Sequence, residues 1–221
     1  MKNMTRAQRR RQAKIRKMLL SLSLVLVIGM AAVGGTIAWL TATSESVVNT
    51  FTVGDINIKL QEHHYDPDTN ELNKGVDPVQ ENDDYKIIPG MNLPKDPYVY
   101  VEKDSEASWL FVKITKVNWP ATGLSYEIAD GWTELEDGVY FRKVAATSET
   151  ANSDDMYILK DDQVVVSNQL TKTDLKNIKD AGSPKLIFKA FAVQQEGFTS
   201  KATDALNAAD AWAAIPPADK N

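Results

Sequence analysis

The sequence has no cysteine and only two histidines, and no HExxH, GxSxG or glycine-rich phosphate-loop pattern occurs in it. Without thiols there are no disulfides, so a hydrophobic core has to hold the fold together. The missing thiols also remove sulfur from any zinc site, leaving carboxylates to complete one. The two histidines, His63 and His64, are neighbours. On a helix, neighbours point about 100° apart, so they cannot form the two-histidine face of a helical zinc protease. A serine nucleophile would lack its elbow, and nucleotide phosphates would lack a cradle. Cations are scarce beyond residue 17: eight of the 25 Lys and Arg residues lie before that point, leaving 17 against 30 Asp and Glu, a net of −13. Such a surface repels nucleic acid and anionic lipid.

Those eight early cations are Lys2, Arg6, Arg9, Arg10, Arg11, Lys14, Arg16 and Lys17, and an uncharged run over residues 18–40 follows them. This is the layout of a secretory signal, in which a basic stretch stays at the cytoplasmic face and an apolar one enters the bilayer. Gly34-Gly35-Thr36-Ile37-Ala38 places small residues, Thr36 and Ala38, where a signal peptidase admits them, so the mature chain is expected to begin at Trp39. Ala42 offers a second cut. The alternative is an uncleaved anchor, since the run is long enough to cross a bilayer at about 1.5 Å per residue. Either way the carboxyl side is translocated. The expected divisions are a signal peptide over 1–38 (basic 1–17, apolar 18–35), a flexible segment over 39–50 and a folded domain over 51–221.

Period-two patterning dominates the domain. Phe51 and Val53 alternate with polar residues, and the phase shifts at Gly54-Asp55 to Ile56, Ile58 and Leu60, as in a bulged strand. Further strands are expected over 98–102, 109–117, 132–135, 139–144, 156–159, 164–166 and 186–193, separated by turns such as Glu136-Asp137-Gly138. The 109–117 and 186–193 strands are apolar on both faces, which predicts central or helix-covered positions. Thr171-Lys172-Thr173-Asp174 opens one short helix with a capping-box pattern, and residues 203–215 form a second, which Pro216-Pro217 stops. The fold class is therefore mainly β, a two-sheet antiparallel sandwich with two short helices. Residues 62–84 are polar and are expected to form a long surface loop that includes a solvated histidine pair.

Asp66, Asp68 and Asn70 alternate as the first oxygen ligands of a calcium loop do. Glu71 replaces the turn glycine and Asp77 the bidentate glutamate, so an Asx-type turn is the simpler reading. Trp109, Trp119, Trp132 and Trp212 fall in strands and a helix, where core packing is expected of them. No catalytic residue and no cofactor follow from these patterns.

The junction residues Gly34-Gly35-Thr36-Ile37-Ala38-Trp39-Leu40-Thr41 and Asn49-Thr50-Phe51-Thr52-Val53-Gly54-Asp55-Ile56-Asn57-Ile58 resemble the N-terminus of the TasA/camelysin family of secreted Gram-positive biofilm-matrix proteins. Ile88-Pro89-Gly90, Lys95-Asp96-Pro97 and the strand from Trp109 resemble that family's Pro-Gly turn, lysine-aspartate step and core strand. Phe188-Lys189-Ala190-Phe191-Ala192-Val193-Gln194 with Ala211-Trp212-Ala213-Ala214-Ile215 is similar to its C-terminal strand and helix. Family members usually carry aspartate after the Pro-Gly, where this chain has Met91-Asn92.

The resemblance implies a jelly roll, cleavage by a SipW-type signal peptidase, and a homopolymer in which a freed N-terminal segment pairs with a sheet of the next subunit. An accessory matrix protein is a further partner of this kind. Here the donor would be residues 39–50, with Trp39, Leu40, Val47 and Val48 as its apolar side chains. The implied location is the extracellular matrix or cell surface, with the membrane touched only through the uncleaved signal. Two other functions stand beside this one: a camelysin-like cell-surface metalloendopeptidase, and a monomeric adhesin that binds through the 62–84 loop.

Overall fold

The computed structural model describes residues 41–45, 48–49, 56–82 and 85–220, the first two stretches through their backbone pairing. The chain runs β1 (Thr41–Glu45), β2 (Val48–Asn49), β3 (Ile58–Gln61), β4 (His64–Asp66), β5 (Glu71–Asn73), β6 (Leu93–Pro94) and β7 (Tyr98–Val101). It continues with β8 (Ser108–Val117), β9 (Leu124–Ser125), β10 (Thr133–Glu136), β11 (Val139–Val144), β12 (Met156–Tyr157) and β13 (Gln163–Val166). Helix α1 (Lys172–Ala181), β14 (Lys185–Gln194) and helix α2 (Asp204–Ala214) complete it. The six-stranded sheet has the order β10-β11-β8-β14-β1-β2; the smaller sheets are β12-β7-β3, β6-β13-β9 and β4-β5. Among the described residues no helix is long and apolar enough to cross a membrane.

Strands β8 and β14 pair antiparallel along their full length, from Val117 opposite Lys185 to Ser108 opposite Gln194. Alternation along these strands divides the apolar residues between two cores. Leu110, Val112, Ile114, Ala190 and Ala192 join Ile58, Val99, Val101, Met156, Val164 and Val166 of the smaller sheets in a sandwich-like core. Trp109, Phe111, Phe191 and Val193 face the other way, with Val139 and Phe141, against Ala208, Ala211, Trp212 and Ile215. Phe141, Phe111 and Phe191 lie directly opposite one another across β11, β8 and β14. This is why both strands read as apolar on each face: one face meets the smaller sheets and the other meets α2.

The helices begin where the sequence predicts. Thr171 caps α1, accepting from Asp174 N–H, while the Asp174 carboxylate accepts from the Thr171 N–H at 2.8 Å. The Thr171 hydroxyl, also donating to that carboxylate, holds Asp174 below the usual carboxylate range. Thr203 caps α2 by accepting from Leu206 N–H at 3.3 Å.

Gly138 turns β10 into β11 at φ +72°, and a Cβ there would stand 2.8 Å from the Ile114 carbonyl oxygen. Gly138→Ala is therefore expected to cost about 1–2 kcal/mol, from left-handed backbone strain together with a backbone collision. Urea unfolding of the variant beside the wild type checks this; an unchanged midpoint contradicts it.

The 62–84 stretch is a correction to the expected loop. It carries the β4–β5 hairpin, with Tyr65 opposite Leu72, and Tyr65 is buried. Strands of two or three residues are too short to show a period, so they leave no trace in the hydropathy pattern.

Candidate functional site

Strand β1 occupies the edge of β14 that β8 leaves open, pairing Thr41 with Val193, Ala42 with Ala192, Thr43 with Phe191 and Ser44 with Ala190. The chain then folds back through β2, with Ser44 opposite Asn49 and Glu45 opposite Val48. Of the predicted donor residues, Val48 thus lies in β2. Trp39, Leu40 and Val47, and the expected cleavage residues Thr36 and Ala38, lie outside the described residues.

The β1 ladder ends at Ala190. No described strand pairs with the same edge of residues 185–188. Beside this half of β14 lies a cavity of about 1020 Å³, walled by Leu60, Tyr85, Ile87, Trp119, Leu186 and Phe188 among others. An ion pair between Lys185 and Glu81, at 3.5 Å, stands on its wall. An edge that no described strand fills, above a cleft lined by apolar and charged side chains, is a geometry that can accept an extended segment, because backbone groups complete the ladder while alternate side chains enter the cleft.

A buried charge cluster supports the floor of this region. Asp96 is fully buried and accepts from the His63 backbone N–H at 3.0 Å, with His63 Nδ1 at 2.6 Å from its other oxygen. The His63 ring also stacks on Tyr98 with centroids 5.3 Å apart. His63 is therefore an anchored residue and not half of a solvated pair, whereas His64 is exposed. Lys95 pairs with buried Glu62 at 2.8 Å, and Asn82 donates to the other Glu62 oxygen and to the His63 carbonyl. Sequence reasoning had only the Lys95-Asp96-Pro97 step as a signal here; neither partner, Glu62 nor His63, is visible in any local pattern.

Asp66, Asp68 and Asn70 form a turn. The Asp66 carboxylate accepts from Asp68 N–H at 2.9 Å, which holds it below its usual range. The Asn70 side-chain oxygen accepts from the Tyr65 hydroxyl at 3.1 Å, and its amide donates to the Asn92 carbonyl. Among the described residues no group of three or more His, Asp and Glu side chains is arranged to hold a metal ion.

The tyrosines around the cluster set an alkaline limit. Burial, reinforced by Asp155 and Tyr100, pushes the Tyr98 phenol up to about 12, and burial pushes Tyr85 well above its ordinary value. Both phenols ionise near pH 10 in the unfolded chain, so there the unfolded state releases protons first and stability falls as pH rises through 10 towards 12. Alkaline titration is expected to show part of the tyrosinate absorbance appearing only as the circular dichroism of the fold is lost. Complete ionisation at pH 10 with the fold intact would contradict this.

No protein-family model, curated protein or solved structure matches this chain. The fold supports a β-rich, sandwich-like domain with several antiparallel sheets and two short helices.

Proposed function

We propose that the chain is a secreted structural subunit of an extracellular matrix fibre, a jelly roll of the TasA/camelysin kind that assembles by donating its N-terminal segment to a neighbouring copy. The observation that carries this reading is the short β1 ladder: four residue pairs join the N-terminal segment to β14, next to a stretch of the same edge with which no described strand pairs. An identical segment from another copy would form the same ladder, so exchange costs little beyond the entropy of association. Cleavage after Ala38 by a SipW-type peptidase would free the segment from its apolar leader. The extracellular location follows from the same leader.

Electron microscopy of protein beginning at Trp39, beside protein beginning at Phe51, tests the reading at equal concentration. Filaments are expected from the first and none from the second. Monomers from both would remove self-assembly as an intrinsic property of the chain.

A further inference from the structure

A lysine, a carboxamide and a carboxylate meet in the buried charge cluster. Lys95 follows β6, its backbone N–H donating to the Asp162 carbonyl at 2.7 Å, and its ammonium donates to one oxygen of Glu62 at 2.8 Å. Asn82 donates to the other oxygen of the same carboxylate. Two further bonds orient the Asn82 carboxamide: its Nδ2 donates to the His63 carbonyl at 2.8 Å, and its Oδ1 accepts from the Tyr65 N–H at 2.8 Å. Exchanging the two atoms would set donor against donor and acceptor against acceptor, so the nitrogen faces Glu62. The side chains of Lys95 and Glu62 are only 13 % and 8 % exposed. The ring centroids of Tyr85 and Phe188 lie 5.5 and 5.7 Å from the ammonium.

Each group stands where a condensation needs it. A lysine amine is a nucleophile once it has lost a proton, and Glu62 sits on the ammonium as the base that takes one. A carboxamide becomes an electrophile when a donor polarises its oxygen, and the Tyr65 N–H occupies that place. The departing nitrogen must gain a proton, and it already lies against Glu62. Because both donors sit on one carboxylate, the amine and the carboxamide are held side by side, and the low exposure and the aromatic walls limit competing water. A buried ion pair needs only the first of these contacts. All three residues also line the cavity of about 1020 Å³, which gives a small product a way out.

We propose that Lys95 and Asn82 join in an intramolecular isopeptide bond, with Glu62 as the catalytic acid and base. Glu62 takes one proton from the ammonium, and the free Nζ attacks Asn82 Cγ while the carbonyl pair moves onto Oδ1. The acid protonates Nδ2, and the carboxylate so regenerated takes the second proton from Nζ. The pair on Oδ1 then restores the carbonyl, the Cγ–Nδ2 bond breaks, and ammonia leaves with the proton held by Glu62. One ammonium and one carboxamide thus become an amide and an ammonium ion, and nothing is oxidised or reduced. The bond gives a chain without cysteine a covalent tie across residues 82–95, and it does not depend on the fibre reading above.

Mass spectrometry of the folded full chain tests this. The intact mass is expected to be lighter than the sequence mass by one ammonia. Trypsin is expected to leave a branched peptide joining residues 75–86 to residues 87–103, uncut at Lys95 because that lysine is acylated. Lys95→Arg keeps a cation on Glu62 but offers no free amine, and Glu62→Gln keeps the size but cannot take the proton. Both variants are expected to retain the ammonia, with circular dichroism confirming the fold. A wild-type chain at full mass, or one cut by trypsin after Lys95 into linear peptides, overturns the proposal. So does an ammonia deficit that survives in Lys95→Arg, since Asn82 would then have cyclised on its own backbone. A branch that survives in Glu62→Gln overturns the role of Glu62. Should either variant fail to fold, the wild-type peptide map still decides whether the bond exists.

Discussion

Replacing Trp212 with alanine is expected to destabilise the domain by about 3–5 kcal/mol, the cost of deleting a large aromatic from a packed core. Trp212 is 7 % exposed and is the contact through which α2 closes the outer face of the six-stranded sheet. Its ring lies 5.3 Å from both Phe111 and Phe191, and its indole N–H donates to Glu136 at 2.8 Å. Truncation would leave a cavity over the Phe141-Phe111-Phe191 row, whereas the exposed Glu136 carboxylate would turn to water. The neighbours are on the rigid strands β8 and β14, which cannot collapse into the gap. Urea unfolding followed by tryptophan fluorescence and circular dichroism measures the loss. A loss below about 1 kcal/mol would mean that α2 is not needed to close that face.

Asp96→Ala is expected to cost a comparable amount, about 3–5 kcal/mol, because it removes one member of a buried pair and leaves the other without a partner. Asp96 is wholly inaccessible, and its two oxygens satisfy the His63 backbone N–H and the His63 ring. Lys74 stands 3.9 Å away and also approaches Asp162, at 3.8 Å. Burial, followed by the neighbouring Asp96 charge, pushes the Asp162 carboxyl above its usual range. Removing Asp96 would relieve that second cause, so some of the lost stability returns through Asp162. Asp96→Asn, which keeps an acceptor for one N–H, is expected to cost less than Asp96→Ala. Limited proteolysis gives the readout specific to this anchor: cleavage within residues 62–82 should appear at lower denaturant in Asp96→Ala than global unfolding does. Equal protection in variant and wild type would show that the hairpin is held by other contacts.

Much of the framework was legible because its elements are long enough to express a period. The ten-residue strands β8 and β14 show apolar residues on both faces, and the structure puts one face against the smaller sheets and the other against α2. Both helix starts were readable from Thr171 and Thr203, since a cap is a local contact between residues three apart. The β10–β11 turn was likewise readable from Asp137-Gly138, where φ +72° calls for glycine.

What local pattern could not carry were contacts between residues distant in sequence. The β4–β5 hairpin lies inside a stretch that reads as a polar loop, because its buried Tyr65 has no periodic companions. The pairing of His63 with Asp96 spans 33 positions, and no local preference selects it. The setting of Arg142 is likewise non-local: in the sequence it is one cation in an alternating strand, and only packing sets its guanidinium 5.4 Å from the centroid of the Trp132 ring.

The sequence by itself determined the class of fold, the places of the long strands and the helix starts, through hydropathy period and capping chemistry, which act over a few residues. Only the tertiary structure decided which charges are buried and paired and which edge of β14 is filled, because those depend on burial and on partners that the chain brings together after it folds.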